Sequence, residues 1–284
     1  MIKLDIKGFI GKRADLILRN KLQGAKLSFI FSLFRKKLVL VNSKVVKNSY
    51  RICAGDILEV KLEKDKFYSL TKMGRHFDVL YEDEYYLIVN KYAGTPVHGG
   101  QGIKWSLINE VMEYLKLKRK DFLANRLDKG TSGVVIIAKT QKSLSAIGKL
   151  IESKKVKKIY LALIKGQLPK KQGKICAKLE TVKGITTVSS KGKSALTYYK
   201  LIKKFDDYSL VELELVTGRT HQIRVHLTSI GCPIVGDMKY GVFELIKRPF
   251  LHAWKLEFKH PFKRKIIRVK AEMPKDLDKV LAKL

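Results

Sequence analysis

"ANRLDKGTSGVVIIAKT", residues 124–140, sets an acid between two cations and ahead of an apolar run. Asp128 follows Arg126 by two positions and directly precedes Lys129. Gly130-Thr131-Ser132-Gly133 reads as a turn, and Val134 to Ile137 as a buried strand, so the carboxylate is expected at the mouth of a strand. A carboxylate beside fixed cations is held in its charged form, which makes it a poor general acid. A nucleophile, an electrostatic stabiliser and half of a structural ion pair all stay open. Residue physics alone goes no further.

Working outward, strands are expected at "YYLIVNK", "KKIYLALIKGQL" and "YSLVELELVTG". Helices are expected at "SLINEVMEYLKL", at "QKSLSAIGKLIESK", and at "RTHQIRVHLTSIG", the last closed by Gly231. Strands outnumber helices and show few regular crossovers. The expected fold class is α+β: a mixed, largely antiparallel sheet with flanking helices over residues 76–284. Residues 1–62 read as a smaller α+β module. "RADLILRNKL" is an amphipathic helix with Leu16, Ile17 and Leu22 on one side, and "LSFIFSLFRKK" is a second helix capped at Ser28. "LVLVNSKVV" and "RICAGDILEV" supply short strands and turns. "EKDKFYSLTKMGR", residues 63–75, is polar and aperiodic and reads as a linker.

The charge narrows the partners. The chain of 284 residues holds 59 Lys and Arg against 26 Asp and Glu, a net +33. A polyanion is the natural counterpart, because neutralising phosphates releases counterions. The excess runs through both parts, with 14 basic and 4 acidic residues in 1–61 alone. Arg13, Arg19, Arg35, Lys36 and Lys37 form a candidate phosphate-binding face, although Arg35 to Lys37 also suit a helix C-terminus. His98 and the following Gly99-Gly100-Gln101-Gly102 loop are a weaker phosphate candidate. Cys53, Cys176 and Cys232 lack the spacing of a metal site, so no metal is expected and all three read as packing residues. No apolar stretch approaches the ~20 residues of a membrane span, and the N-terminus lacks the apolar run of a secretion signal. A cytoplasmic monomer is expected. A DNA-binding regulator is disfavoured, since no helix-turn-helix reader is legible.

"NRLDKGTSGVVIIAKT" resembles the signature of the RluA-type pseudouridine synthases, whose usual form is His-Arg-Leu-Asp, then Thr-Ser-Gly and a strand. Further motifs follow the family's order: "VLYEDEYYLIVNKYAGTPVH", "KKIYLALIKG", "ELVTGRTHQIRVHLTSIGCPIVGDMKYG" and "LHAWKLEFKHP". Linked motifs over about 200 residues are far more specific than any one of them. With "RADLILRNKL", "VNSKVV" and "AGDILEV", the N-terminal module is similar to the S-four-type RNA-binding fold. The layout resembles the RluC/RluD-like branch, which modifies large-subunit ribosomal RNA. Asn125 stands where the family usually has His, Tyr92 where it has Pro, and Lys129-Gly130 where a basic-acidic pair is more usual.

The resemblance implies that uridine's glycosidic bond is broken, the uracil is turned and carbon 5 is joined to the sugar, without cofactor or metal. Asp128 would be the catalytic carboxylate, acting on sugar or base. Arg219 would be its bidentate partner, since a cation in a first helical turn opposes the helix dipole unless an acid is near. Tyr160 would stack on the uracil or remove a proton, and Arg126 would fill the vacancy left by an extruded uridine. His221 and His226 read as supporting or packing residues. The alternative is a non-catalytic RNA-binding or ribosome-assembly protein that keeps the fold.

Overall fold

The structure, a computed structural model, describes residues 2–4, 6, 8–22, 25, 27–62, 76–99, 106–116 and 123–284. It divides into two compact units, Met1–Arg75 and His76–Leu284. The expected linker and positions 100–102 of the glycine-rich loop lie outside the described residues.

The first unit contains β1 (Ile2–Leu4), α1 (Ala14–Lys21), α2 (Leu27–Arg35), β2 (Val39–Val41), β3 (Lys44–Val45) and β4 (Leu58–Val60). Its strands form an antiparallel sheet in the order β1-β4-β2-β3. The turn joining β2 to β3 puts Asn42 and Ser43 at φ 48° and 65°, a two-residue geometry that matches the twist of a hairpin. Ile17, Leu18, Leu22, Ile30 and Leu33 pack with Val39, Val41, Leu58 and Val60. Two local expectations are corrected. The buried stripe of α1 runs through Ala14, Ile17 and Leu18, which turns Leu16 outward. Helix α2 begins at Leu27, so Ser28 lies inside it and caps nothing.

The second unit contains β5 (Phe77–Glu82), β6 (Tyr86–Lys91), α3 (Leu107–Leu115), β7 (Ser132–Ala138), α4 (Gln141–Glu152), β8 (Lys157–Lys165) and β9 (Gln172–Val182). These are followed by β10 (Ile185–Val188), β11 (Lys193–Lys204), β12 (Tyr208–Leu215), α5 (Gln222–Ser229), β13 (Leu251–Lys259), β14 (Ile266–Lys270) and α6 (Lys275–Leu281). Ten strands make one sheet in the order β10-β9-β11-β12-β8-β13-β7-β6-β5, with β14 also on β13. It is mixed and largely antiparallel: β7 and β13 are its parallel pair. Local signals place the elements. Thr140 caps α4, accepting from the Ser143 N–H while Ser143 bonds back.

Strand β13 joins two halves of this sheet. Along β7 it pairs for only two positions, His252 with Ser132 and Ala253 with Gly133, before its outer part turns to β14. On its other edge it pairs with β8 across an irregularity between Ala253 and Lys255. Gly133 has φ 114°, and any Cβ there would be driven into the backbone of Ala253. Buried His252 stitches the junction, with Nδ1 2.9 Å from Ser132 Oγ and Nε2 3.1 Å from the Ala271 carbonyl. The Gly-Thr-Ser-Gly stretch is therefore the seam at which two half-sheets meet.

Candidate active site

Asp128 is mounted directly on that seam. Leu123 bridges Ile137, Ala124 N–H donates to the Ile136 carbonyl, and Asn125 Oδ1 accepts from Ile136 N–H. The segment thus runs back along β7, and Asn125 uses its side chain as a further rung of the ladder. Thr131 N–H donates to the Asp128 carbonyl at 3.0 Å and closes the turn. Beneath it, the buried Lys91 ammonium donates to the carbonyls of Tyr92 and Thr95 at 2.9 Å and of Lys129 at 3.4 Å. Burial, then the charge of Arg248, pulls Lys91 down to about 7, against the pull of Asp128.

The expected pairing of Asp128 with Arg219 is corrected. Arg224 Nη1 donates to Asp128 Oδ2 at 2.8 Å. Arg219 lies in the loop ahead of α5, where its N–H donates to Gln222 Oε1 and its Nε to the Ser194 carbonyl. The helix starts three residues later than its sequence pattern suggests, at Gln222, after His221 takes a left-handed φ of 53°. Arg224, not Arg219, is the cation in the first turn. The dipole reasoning applies to the right element and to the wrong arginine. The sequence neighbours Arg126 and Lys129 are exposed, and among the described residues the cation paired with Asp128 is contributed from 96 positions away.

A second carboxylate holds Arg224. Asp237, fully buried, accepts from its Nε at 2.6 Å and its Nη2 at 2.7 Å. Burial works against both charges, but each partner outweighs it: Asp237 is pulled below the usual carboxylate range and Arg224 is raised above that of arginine. The Tyr240 ring lies 4.8 Å from the guanidinium centre. Its hydroxyl meets His221 Nδ1 at 2.8 Å and accepts the Thr186 N–H at 2.8 Å. His221 Nε2 stands 3.8 Å from Asp128 Oδ1. Arg224 therefore occupies one oxygen of Asp128, and among the described residues Oδ1 has no donor within hydrogen-bond distance. Gln222 anchors the helix start, donating to the Leu196 carbonyl and Thr197 Oγ1, both at 3.0 Å.

The carboxylate opens on a cleft of about 470 Å³ that is also lined by His98, Arg126, Lys158, Tyr160 and Arg219. That size suits one small-molecule moiety. Tyr160 is buried in its wall. Burial, then the charge of Asp128, pushes its phenol above tyrosine's usual range, so it meets a ligand as a neutral aromatic face.

The residues that complete the site, Arg224, Asp237, Tyr240 and Gln222, were not singled out from sequence. Their one signal was an arginine flanked by Ile223 and Val225 and followed by an acid in "VGDMKYG". His226 is buried as expected, with Nδ1 3.0 Å from Thr197 Oγ1. Cys232 is buried, but Cys53 and Cys176 are exposed, so the packing role expected of all three holds for one. The exposed pair lies on a surface turn and on the alternating outer face of β9. Among the described residues there is no group of three or more potential metal ligands, and no helix is long and apolar enough to cross a membrane.

The family model described as RNA pseudouridylate synthase matches residues 85–229, a span that holds Asp128, Tyr160 and Arg224. This chain belongs to that family. Its relatives include the ribosomal large subunit pseudouridine synthase C of Vibrio parahaemolyticus, 35% identical over 96% of this chain and 93% of the relative. The protein of that name from Escherichia coli K12 is also 35% identical, with the same coverage. Among solved structures, human RNA pseudouridylate synthase domain containing 1 aligns with a TM-score of 0.59 at 25% identity, covering 70% of this chain and 84% of that one. Human RNA pseudouridylate synthase domain containing 4 shares the fold, with a TM-score of 0.60 at 23% identity over 72% and 91% of the two chains. The synthase fold expected for the second unit accords with these likenesses.

Proposed function

We propose that this synthase isomerises uridine in large-subunit ribosomal RNA, with Asp128 as the catalytic carboxylate and Arg224 as the guanidinium that aims it. One observation carries the reading: Arg224, itself fixed by Asp237, binds one oxygen of Asp128, and among the described residues the other is unbonded beside an open cleft. An electron pair kept free at a fixed position is what attack on either sugar or base requires. The names of the relatives support ribosomal RNA as substrate.

A uridine must leave its stack to reach Asp128, at a cost of a few kcal/mol. Tyr160 offers an aromatic face for the extruded base. Arg126, exposed at the rim of the cleft, is in reach of the strand the uridine has left. Arg219 lines the same cleft as a second RNA-facing cation.

The first unit acts in this reading as an S-four-type RNA anchor. Arg35, Lys36 and Lys37 are exposed at the end of α2 and unencumbered for phosphate. Arg13 and Arg19 also pair with the buried Asp15, at 3.0 and 3.7 Å, so they offer less free charge. Tethering two modest binders raises the effective concentration of the second. The enzyme works in the cytoplasm as a monomer.

The test uses ribosomal RNA carrying tritium at carbon 5 of uridine, since isomerisation must release that hydrogen. Wild-type protein is expected to release it, and Asp128→Asn to bind the RNA without releasing it. Equal release by both proteins would remove Asp128 from the reaction.

A further inference from the structure

Among the described residues of the second unit two lysines are buried, and the contrast between them is informative. Lys91, fully buried, is held by three backbone carbonyls, the usual way a protein accommodates an ammonium away from water. Lys158 is 8% exposed. Among the described residues its ammonium makes no hydrogen bond and no ion pair, and burial alone pulls its pKa below lysine's usual range.

Lys158 also has a direction. It lies on β8 two positions before Tyr160, so both side chains stand on the same face of the sheet, and both line the cleft that holds Asp128. Asp128 is the one acid among the described residues lining that cleft, and Arg224 already engages it. Among the described residues, no carboxylate is within ion-pair distance of the Lys158 ammonium. Arg126, Lys129 and Arg219 line the same space, but they are exposed and keep their water. Lys158 gives up its hydration in the free protein, and no described residue compensates its ammonium.

We propose that Lys158 is a substrate-binding residue whose partner is an oxyanion of the target nucleotide, bound when the uridine enters the cleft. This rests on the reading of the cleft as the nucleotide site. Two groups of one nucleotide carry that chemistry. One is the backbone phosphate. The other is the detached uracil: when the glycosidic bond breaks, its electron pair stays with the base and spreads onto the two ring carbonyl oxygens. An ammonium in a site shielded from water stabilises either far better than a solvated one does.

The experiment compares full-length wild type, Lys158→Met, Lys158→Gln and Asp128→Asn. Each is assayed on a large-subunit ribosomal RNA transcript labelled with tritium at carbon 5 of uridine. Equilibrium binding is read over a salt series and label release in single turnover. A phosphate partner predicts about tenfold weaker binding by both Lys158 variants, a log–log salt slope shallower by ~0.7–0.9, and an unchanged release rate. A detached-base partner predicts about 100-fold slower release with unchanged binding. Either partner predicts that Lys158→Met raises the Tm of the free protein by a few degrees, since an unpaired buried charge is removed.

Wild-type binding and release in both Lys158 variants, alongside an inactive Asp128→Asn, would overturn this inference and spare the reading beneath it. A fall in Tm for Lys158→Met would also overturn it, because the ammonium would then be serving the free fold. Release by Asp128→Asn at the wild-type rate would bring down the reading of the cleft itself.

Discussion

Asp237 grips Arg224 through both carboxylate oxygens, at 2.6 and 2.7 Å, although both residues are buried. The pair is a mount. It fixes the guanidinium plane, and the remaining Nη1 then has one direction in which to donate, toward Asp128.

Replacing the fork tests the mount. Arg224→Lys retains charge but cannot hold two carboxylates in one plane. A fall in single-turnover release of about 100-fold or more is expected, equivalent to roughly 2.7 kcal/mol of barrier. Arg219→Ala should change the release rate less than about threefold and weaken RNA binding instead. Equal rate losses in the two variants would show that the carboxylate is not aimed by Arg224.

Tyr240→Phe keeps the ring against Arg224 and deletes the hydroxyl shared by His221 and Thr186. Burial lowers the His221 pKa despite Asp128, so the neutral ring has one proton to place. The hydroxyl accepts from Thr186 N–H and has its own proton to give; donated to Nδ1, it would put the ring proton on Nε2, facing Asp128. Nitrogen-15 NMR of the histidines should show His221 with a bare Nδ1 in wild type and a mixture of tautomers in Tyr240→Phe. A protonated Nδ1 in wild type would refute this arrangement.

Gly133→Ala should be among the costliest single-methyl changes in the chain. Its φ of 114° and the carbonyl of Ala253 both reject a Cβ. A loss on the order of 3–5 kcal/mol is expected, read as a Tm fall of roughly 10 °C. Gly148→Ala is the control: this glycine sits within α4 with open space around it, and alanine there should stabilise by about 0.5–1 kcal/mol.

Acid should act on the fold through His226. Burial lowers its pKa to about 4, and among the described residues its Nε2 has no hydrogen-bond partner. Between pH 6.5 and 4 the unfolded chain therefore binds a proton that the folded chain refuses, so stability falls as pH drops through that window. The contribution approaches about 3 kcal/mol at its lower end. Urea unfolding across this range should show a shallower loss for His226→Asn, which removes the titrating ring and leaves an amide near Thr197.

Much of the second unit is legible in its sequence. Strands β6, β7, β8 and β12 announce themselves as apolar or alternating runs, and "QKSLSAIGKLIESK" as the helix α4. Strands β9 to β11 went unread. They lie toward one edge of the sheet and carry Lys, Thr and Ser on an open face, so the apolar half of the alternation is thin. The site was legible to the extent that chemistry-bearing residues sit in recognisable strings, as Asp128 and Tyr160 do. The choice between Arg219 and Arg224 was not. Both occupy "GRTHQIR", and only the left-handed turn at His221 decides which of them enters the helix and is buried.

The short parallel contact between β7 and β13 makes the reacting end of the molecule depend on a segment more than a hundred residues downstream of Asp128. A polypeptide cut short before Leu251 would still contain Asp128, Tyr160, Arg224 and Asp237, yet would lack the splice between the half that bears the carboxylate and the half that bears its guanidinium. Such a nascent or truncated product should be inert until that last long strand is laid in. Its competence would arrive in one step, when that strand pairs on both of its edges.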